Sequence, residues 1–129
     1  MKHKGEKTSG NIIHLYDDLA WLWPLWGDAT TTYAVWCNQV TRLIRQYAQR
    51  EVRTLLNMGC GGGKNAFNLK NHFNVTGIDI SRAMLDLAQQ LNPECQFVLG
   101  DIRTCSLNQE FDAVLVDDAI TYMASCEPT

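Results

Sequence analysis

The stretch from Val52 to Phe73 constrains this chain more than any other. Val52, Thr54, Leu55 and Leu56 form a short, nearly continuous apolar run. Such a run suits a strand buried on both faces, as in a parallel sheet covered by helices. It is followed by Gly59-Cys60-Gly61-Gly62-Gly63. Glycines there permit positive φ and let a ligand approach the backbone without a Cβ in the way. Lys64 to Phe73 then reads as a helix, through Ala66, Phe67, Lys70 and Phe73. In an open parallel sheet, ligands sit outside the carboxyl ends of the strands. The loop after this strand is therefore the first place to look for a site.

The remaining chain repeats the alternation. Val75 to Ile78 reads as a second strand ending at Asp79, and Ser81 as the N-cap of a helix through Met84, Leu87, Ala88 and Leu91. Gln96 to Leu99 reads as a third strand, ending at Gly100-Asp101. Phe111 to Val116 is a fourth, ending at Asp117-Asp118, and Ala119 to Ala124 can start another helix. Strands alternating with helices argue for an α/β fold with a parallel sheet. Before Val52 the period changes. Ile12, Leu15, Tyr16, Leu19, Ala20 and Trp23 recur at helical steps until Trp23-Pro24 ends them, and Val40, Leu43, Ile44, Tyr47 and Ala48 mark a second helical face. The expected organisation is a loose polar tail over 1–10, a helical cap over 11–50 and the α/β unit over 51–129.

Each strand end carries a glycine or a carboxylate. The spacing Gly59, Gly61, Gly63 departs from the dinucleotide fingerprint, which needs glycine where this chain has Lys64. Asp79 lies twenty positions past Gly59, a separation that suits hydrogen bonding to ribose hydroxyls. Its other reading is a carboxylate favoured by the helix N-terminus, a need that Ser81 already serves.

These four ends, in this order, resemble the motifs of class I S-adenosylmethionine-dependent methyltransferases. The resemblance runs from Val52 to about Met123. It implies a Rossmann-like parallel sheet preceded by two helices, of which this chain carries strands ordered 3-2-1-4, with strands 5–7 of the family fold missing. It implies S-adenosyl-L-methionine as cofactor, held by Asn57, Gly59, Cys60, Gly61 and Gly63 in the first loop and by Asp79 at the ribose. It also implies that Asp101 accepts a hydrogen bond from the adenine amino group. Ile80 and Ile102 either sandwich the adenine or pack as ordinary apolar residues. Phe111-Asp112-Ala113-Val114-Leu115-Val116-Asp117-Asp118 resembles the family's fourth motif. There Asp112 reads as a solvated turn residue, and Asp117 or Asp118 lines the site or caps the next helix. Tyr16-Asp17-Asp18-Leu19-Ala20 resembles a segment whose tyrosine covers the cofactor. Asn57 departs from the family, which has an acidic residue at that position.

The implied activity is methyl transfer to a small-molecule acceptor, with no catalytic base assigned. The alternative is a non-catalytic fragment that binds the cofactor or a protein partner. The formal net charge of −3 gives no sign of nucleic-acid binding, which needs clustered Lys and Arg. No stretch reads as a signal peptide or membrane span. The five cysteines are irregularly spaced, without a C-x-x-C pair, and His3, His14 and His72 have no metal-ligand spacing. Reduced thiols in the cytoplasm are expected. Trp21, Trp23, Trp26 and Trp36 either pack the helices or line an acceptor pocket. The Val114-Leu115-Val116 strand, if left as an edge, predicts self-association or burial by a partner.

Overall fold

The structure, a computed structural model, describes residues 30–116. In chain order these form α1 (Thr32–Tyr47), β1 (Thr54–Met58), α2 (Lys64–Leu69), β2 (Asn74–Asp79), α3 (Arg82–Leu91), β3 (Gln96–Leu99) and β4 (Ala113–Val116). The four strands make one sheet, ordered β3-β2-β1-β4, and every neighbouring pair is parallel. This is the Rossmann-like order expected from the motifs. The expected tail, the first helix and everything after Val116 lie outside the described residues.

Register positions the site. Met58 stands opposite Ile78 on one side and Val116 on the other, and Asp79 stands opposite Leu99. The carboxyl ends of all four strands are therefore level, and the loops leaving them start from one rim.

The core explains why β1 reads as continuously apolar. Leu55 is buried with Cys37, Ala66, Leu69, Phe73, Val75 and Cys95, and Ile44, Val52, Phe97, Ala113 and Leu115 pack against that cluster. Leu56 and Ile78, whose side chains point to the other face by strand alternation, are buried too. Each such fully buried aliphatic side chain contributes roughly 1.5–3 kcal/mol.

Three boundaries differ from expectation. α2 stops at Leu69, where the N–H groups of His72 and Phe73 both donate to the Leu69 carbonyl and Asn74 N–H reaches Arg53 O at 2.8 Å. Phe73 is buried, so it matched the helical period while lying in a turn. β1 begins at Thr54 and runs to Met58, so Asn57 lies within the strand. β4 begins at Ala113 rather than Phe111.

α1 is also rotated relative to the face expected from Val40, Leu43, Ile44 and Tyr47. Its inward side is Cys37 and Thr41, with Val40 and Ile44 of the expected face half-buried, while Leu43 is 52% and Tyr47 73% exposed. Two adjacent stripes of this helix are apolar, and periodicity alone does not choose between them. Small residues at 37 and 41 suit close approach to α2, where Cys37 Sγ lies 3.4 Å from Asn65 Oδ1. Trp36 lies partly exposed on the outward stripe.

Asp112 is a correction. It is not a solvated turn residue but a staple across the start of β1 and β4. Its Oδ2 accepts from the backbone N–H of Arg53 at 2.8 Å and of Thr54 at 3.1 Å. Its own N–H donates to Thr54 Oγ1 at 2.9 Å, and Arg50 pairs with Oδ1 at 2.9 Å.

Candidate active site

The glycine loop is held in a conformation that needs its glycines. Gly59, Gly61 and Gly63 have φ of 77°, 56° and 86°, in the region side-chain-bearing residues avoid. The loop is tied to the neighbouring strand: Gly59 N–H and Cys60 N–H both donate to Ile78 O, at 2.7 and 2.9 Å. Gly61 N–H donates to Asp79 Oδ2 at 2.8 Å. Two residues expected to meet one ligand are thus in direct contact.

Asp79 is fixed from both sides, since its Oδ1 accepts from Ser81 N–H at 3.0 Å. Ser81 in turn caps α3, its Oγ accepting from Met84 N–H at 3.2 Å. The expected cap is present, and such caps contribute about 1 kcal/mol. A third strand end joins through Gly100 N–H, which donates to Asp79 O at 3.0 Å. Asp101 follows directly. Its carboxylate is gripped by Arg103, Nε to Oδ1 at 3.1 Å and Nη2 to Oδ2 at 2.8 Å, and the Arg103 N–H also reaches Oδ1. These contacts, led by the Arg103 side chain, hold the Asp101 carboxyl below its ordinary range.

Ile80 is 56% exposed beside this rim and Ile102 is half-buried. Cys60 is buried, and a Cβ on Gly77 would stand 2.7 Å from its Sγ. Gly77 therefore makes the room that Cys60 fills. Tyr16 and Asp117 lie outside the described residues.

Three features were missed in the sequence. Asn92, fully buried, donates through Nδ2 to Gly63 O at 3.0 Å and to Ala88 O at 3.1 Å, tethering the glycine loop to α3. Its position before Pro93 signals a helix end, but not a partner 29 residues away. Lys64, at the start of α2, is buried with its Nζ 5.5 Å from the Tyr33 ring centroid. Arg103 was legible only as a charge near Asp101. Asn57 is 0% exposed, and neither polar atom of its amide has a hydrogen-bond partner among the described residues. A polar group so placed next to the glycine loop fits a site that takes a polar ligand. Among the described residues no group of three His, Cys, Asp or Glu is placed to hold a metal ion.

Residues 55–128 match the family of methyltransferase domains. The trans-aconitate 2-methyltransferase of Enterobacter sp. (strain 638) is 30% identical over 84 residues, 63% of this chain and 33% of that protein. Its Escherichia coli counterpart (strain SE11) is 29% identical over the same length. Among solved structures, the S-adenosylmethionine-bound amino pentose methyltransferase CalS10 of Micromonospora echinaspora superposes with a TM-score of 0.63 at 26% identity, covering 89% of this chain and 44% of that one. The sugar N-methyltransferase KedS8 of Streptoalloteichus sp. gives 0.68 at 25% identity, covering 97% and 47%. The chain thus spans about a third of these curated relatives and under half of the solved ones. With the family match extending over more than half of its length and the sheet order in agreement, the chain belongs to the class I S-adenosylmethionine-dependent methyltransferases.

Proposed function

We propose that this chain carries the cofactor-holding part of an enzyme that transfers a methyl group from S-adenosyl-L-methionine to a small-molecule acceptor in the cytoplasm. The observation that carries the reading is the hydrogen bond from Gly61 N–H to Asp79 Oδ2. It joins the positive-φ loop and the acidic end of β2 into one cradle.

The residues fit the cofactor. A carboxylate has about four acceptor positions, so Asp79 can take ribose hydroxyls while the Gly61 and Ser81 amides hold it in place. Asp101 accepts from the adenine amino group, with Ile80 and Ile102 beside the ring. Asn57, Gly59, Cys60, Gly61 and Gly63 serve the amino-acid end, and Tyr16 and Asp117, which lie outside the described residues, belong to the same proposed cofactor set. Residues 11–50 act as a helical cap over a methyltransferase unit beginning at residue 51.

Bound S-adenosylmethionine supplies a methyl already made electrophilic by its sulfonium. The protein's own contribution is alignment: holding the cofactor so that acceptor, carbon and sulfur fall in line. No residue is given the role of base. Relatives named for trans-aconitate and for amino sugars support a small polar acceptor. The cytoplasmic part of the reading is supported by the irregular cysteine spacing, without a C-x-x-C pair. No described helix is long and apolar enough to cross a membrane.

Calorimetric titration of the chain with S-adenosylhomocysteine and, separately, with NAD tests the reading. Saturable binding of the first, weakened about tenfold or more by Asp79→Asn, is expected. Binding of NAD alone overturns it.

A further inference from the structure

A cavity of about 640 Å³ opens at the opposite pole of the sheet from the glycine rim, beneath the amino ends of β1 and β2. Its lining carries Arg45, Arg50, Arg53 and Lys70 against Glu51 and Glu94, and Arg50 is also paired with Asp112 at 2.9 Å. That is a local excess of positive charge on a chain whose formal net charge is −3. The size lies within the range of small-molecule sites.

Two of the cations are held in place rather than free to wander. The Arg45 guanidinium lies 5.4 Å from the Phe73 ring centroid, with Nη2 3.4 Å from His72 O. Among the described residues Arg45 has no carboxylate partner. Lys70 Nζ lies 4.9 Å from the Phe67 ring centroid, and the side chain is only 16% exposed. Cation–π contact fixes such groups without neutralising them. Lys70 pairs with Glu94 at 2.8 Å, and Arg53 with Glu51 at 3.2 Å. Both carboxylates are more than half exposed, and ion pairs to exposed carboxylates are weak enough to be exchanged for a stronger anion. The guanidinium fork matches phosphate and carboxylate oxygens in two-point contact.

We propose that this cavity is a second binding site, distinct from the methyl-transfer rim, for a compact small-molecule polyanion, with Arg45 as its anchor. The ligand is a diphosphate or a polycarboxylate, and the site is independent of cofactor occupancy because the two lie at opposite strand ends.

The test is calorimetric titration of the whole chain at low salt with inorganic pyrophosphate and, in a second arm, citrate. Saturable binding of at least one is expected, with unchanged affinity when S-adenosylhomocysteine is present. Arg45→Ala should weaken it about tenfold or more, while Arg42→Ala, which removes an exposed charge of the same helix outside the cavity, should leave it unchanged. Because Arg45 packs on Phe73, Arg53→Gln serves as a second variant and should weaken binding severalfold without touching that contact. Preference for pyrophosphate or for citrate assigns the ligand chemistry, and either keeps the site. No saturable binding of either anion overturns the proposal. So does equal loss in Arg42→Ala, or displacement by S-adenosylhomocysteine.

Discussion

Replacing Gly63 by alanine should damage this fold through two separable effects. Gly63 has φ of 86°. An alanine there pays about 1–2 kcal/mol for the left-handed conformation. Its Cβ would also stand 2.9 Å from Ala88 Cα and Cβ and 2.7 Å from Asn92 Nδ2. The asparagine can shift only by giving up its bond to the Gly63 carbonyl, and the Ala88 Cα is backbone. Crowding of that kind costs about 1–3 kcal/mol. The sum, on the order of 2–5 kcal/mol, is a large part of the 5–15 kcal/mol that holds a typical domain together. At this size it lowers the melting temperature by roughly 10 °C or more. Gly77→Ala provides the comparison. It crowds Cys60 and Phe97 at 2.7 Å without a positive φ, so it should cost only the steric part, about 1–3 kcal/mol. Urea titrations of the parent and both variants measure the two losses. A Gly63→Ala loss under about 1 kcal/mol, or one smaller than that of Gly77→Ala, would refute the reasoning.

Asn57→Leu should raise the stability of the ligand-free chain by about 1–3 kcal/mol, since it removes a buried amide without partners. It should also weaken S-adenosylhomocysteine binding, and unchanged affinity with raised stability would show that the amide has no role in the site. The Asp112 carboxyl is held below its ordinary value of 3.8 by the Arg53 and Thr54 amides and by Arg50. Its folded value is depressed, so its stabilisation is complete above the unfolded value and is lost as pH falls through the folded one. Urea midpoints between about pH 2 and 5 should therefore depend less on pH in Asp112→Asn, and identical slopes would count against the staple. Among the described residues β4 pairs only with β1, and Val114 is 55% exposed. Val114→Lys should then reduce self-association in size-exclusion chromatography, as charges do on strand edges. A parent chain that already elutes as a clean monomer would remove the case for an exposed edge.

The chain's own order of residues determined the sheet. A buried apolar run ending in alternate glycines, followed by strands ending at Asp79 and at Gly100-Asp101, permits few other arrangements, and Ser81 announced its helix. These signals are local: strand period, cap chemistry and backbone freedom are each set within a few positions. What only the tertiary structure decided involves partners distant in sequence. The side of α1 that meets α2 was chosen by the small size of Cys37 and Thr41 against a neighbouring stripe just as apolar. Asp112 became a staple because β4 lies beside β1, and Asn92 found Gly63 because α3 crosses the loop. Arg45, Arg53 and Lys70 line one cavity only because α1, β1 and α2 present their ends at the same pole. Charge and hydrogen-bonding capacity can be read residue by residue, but where they converge is a property of the packed chain.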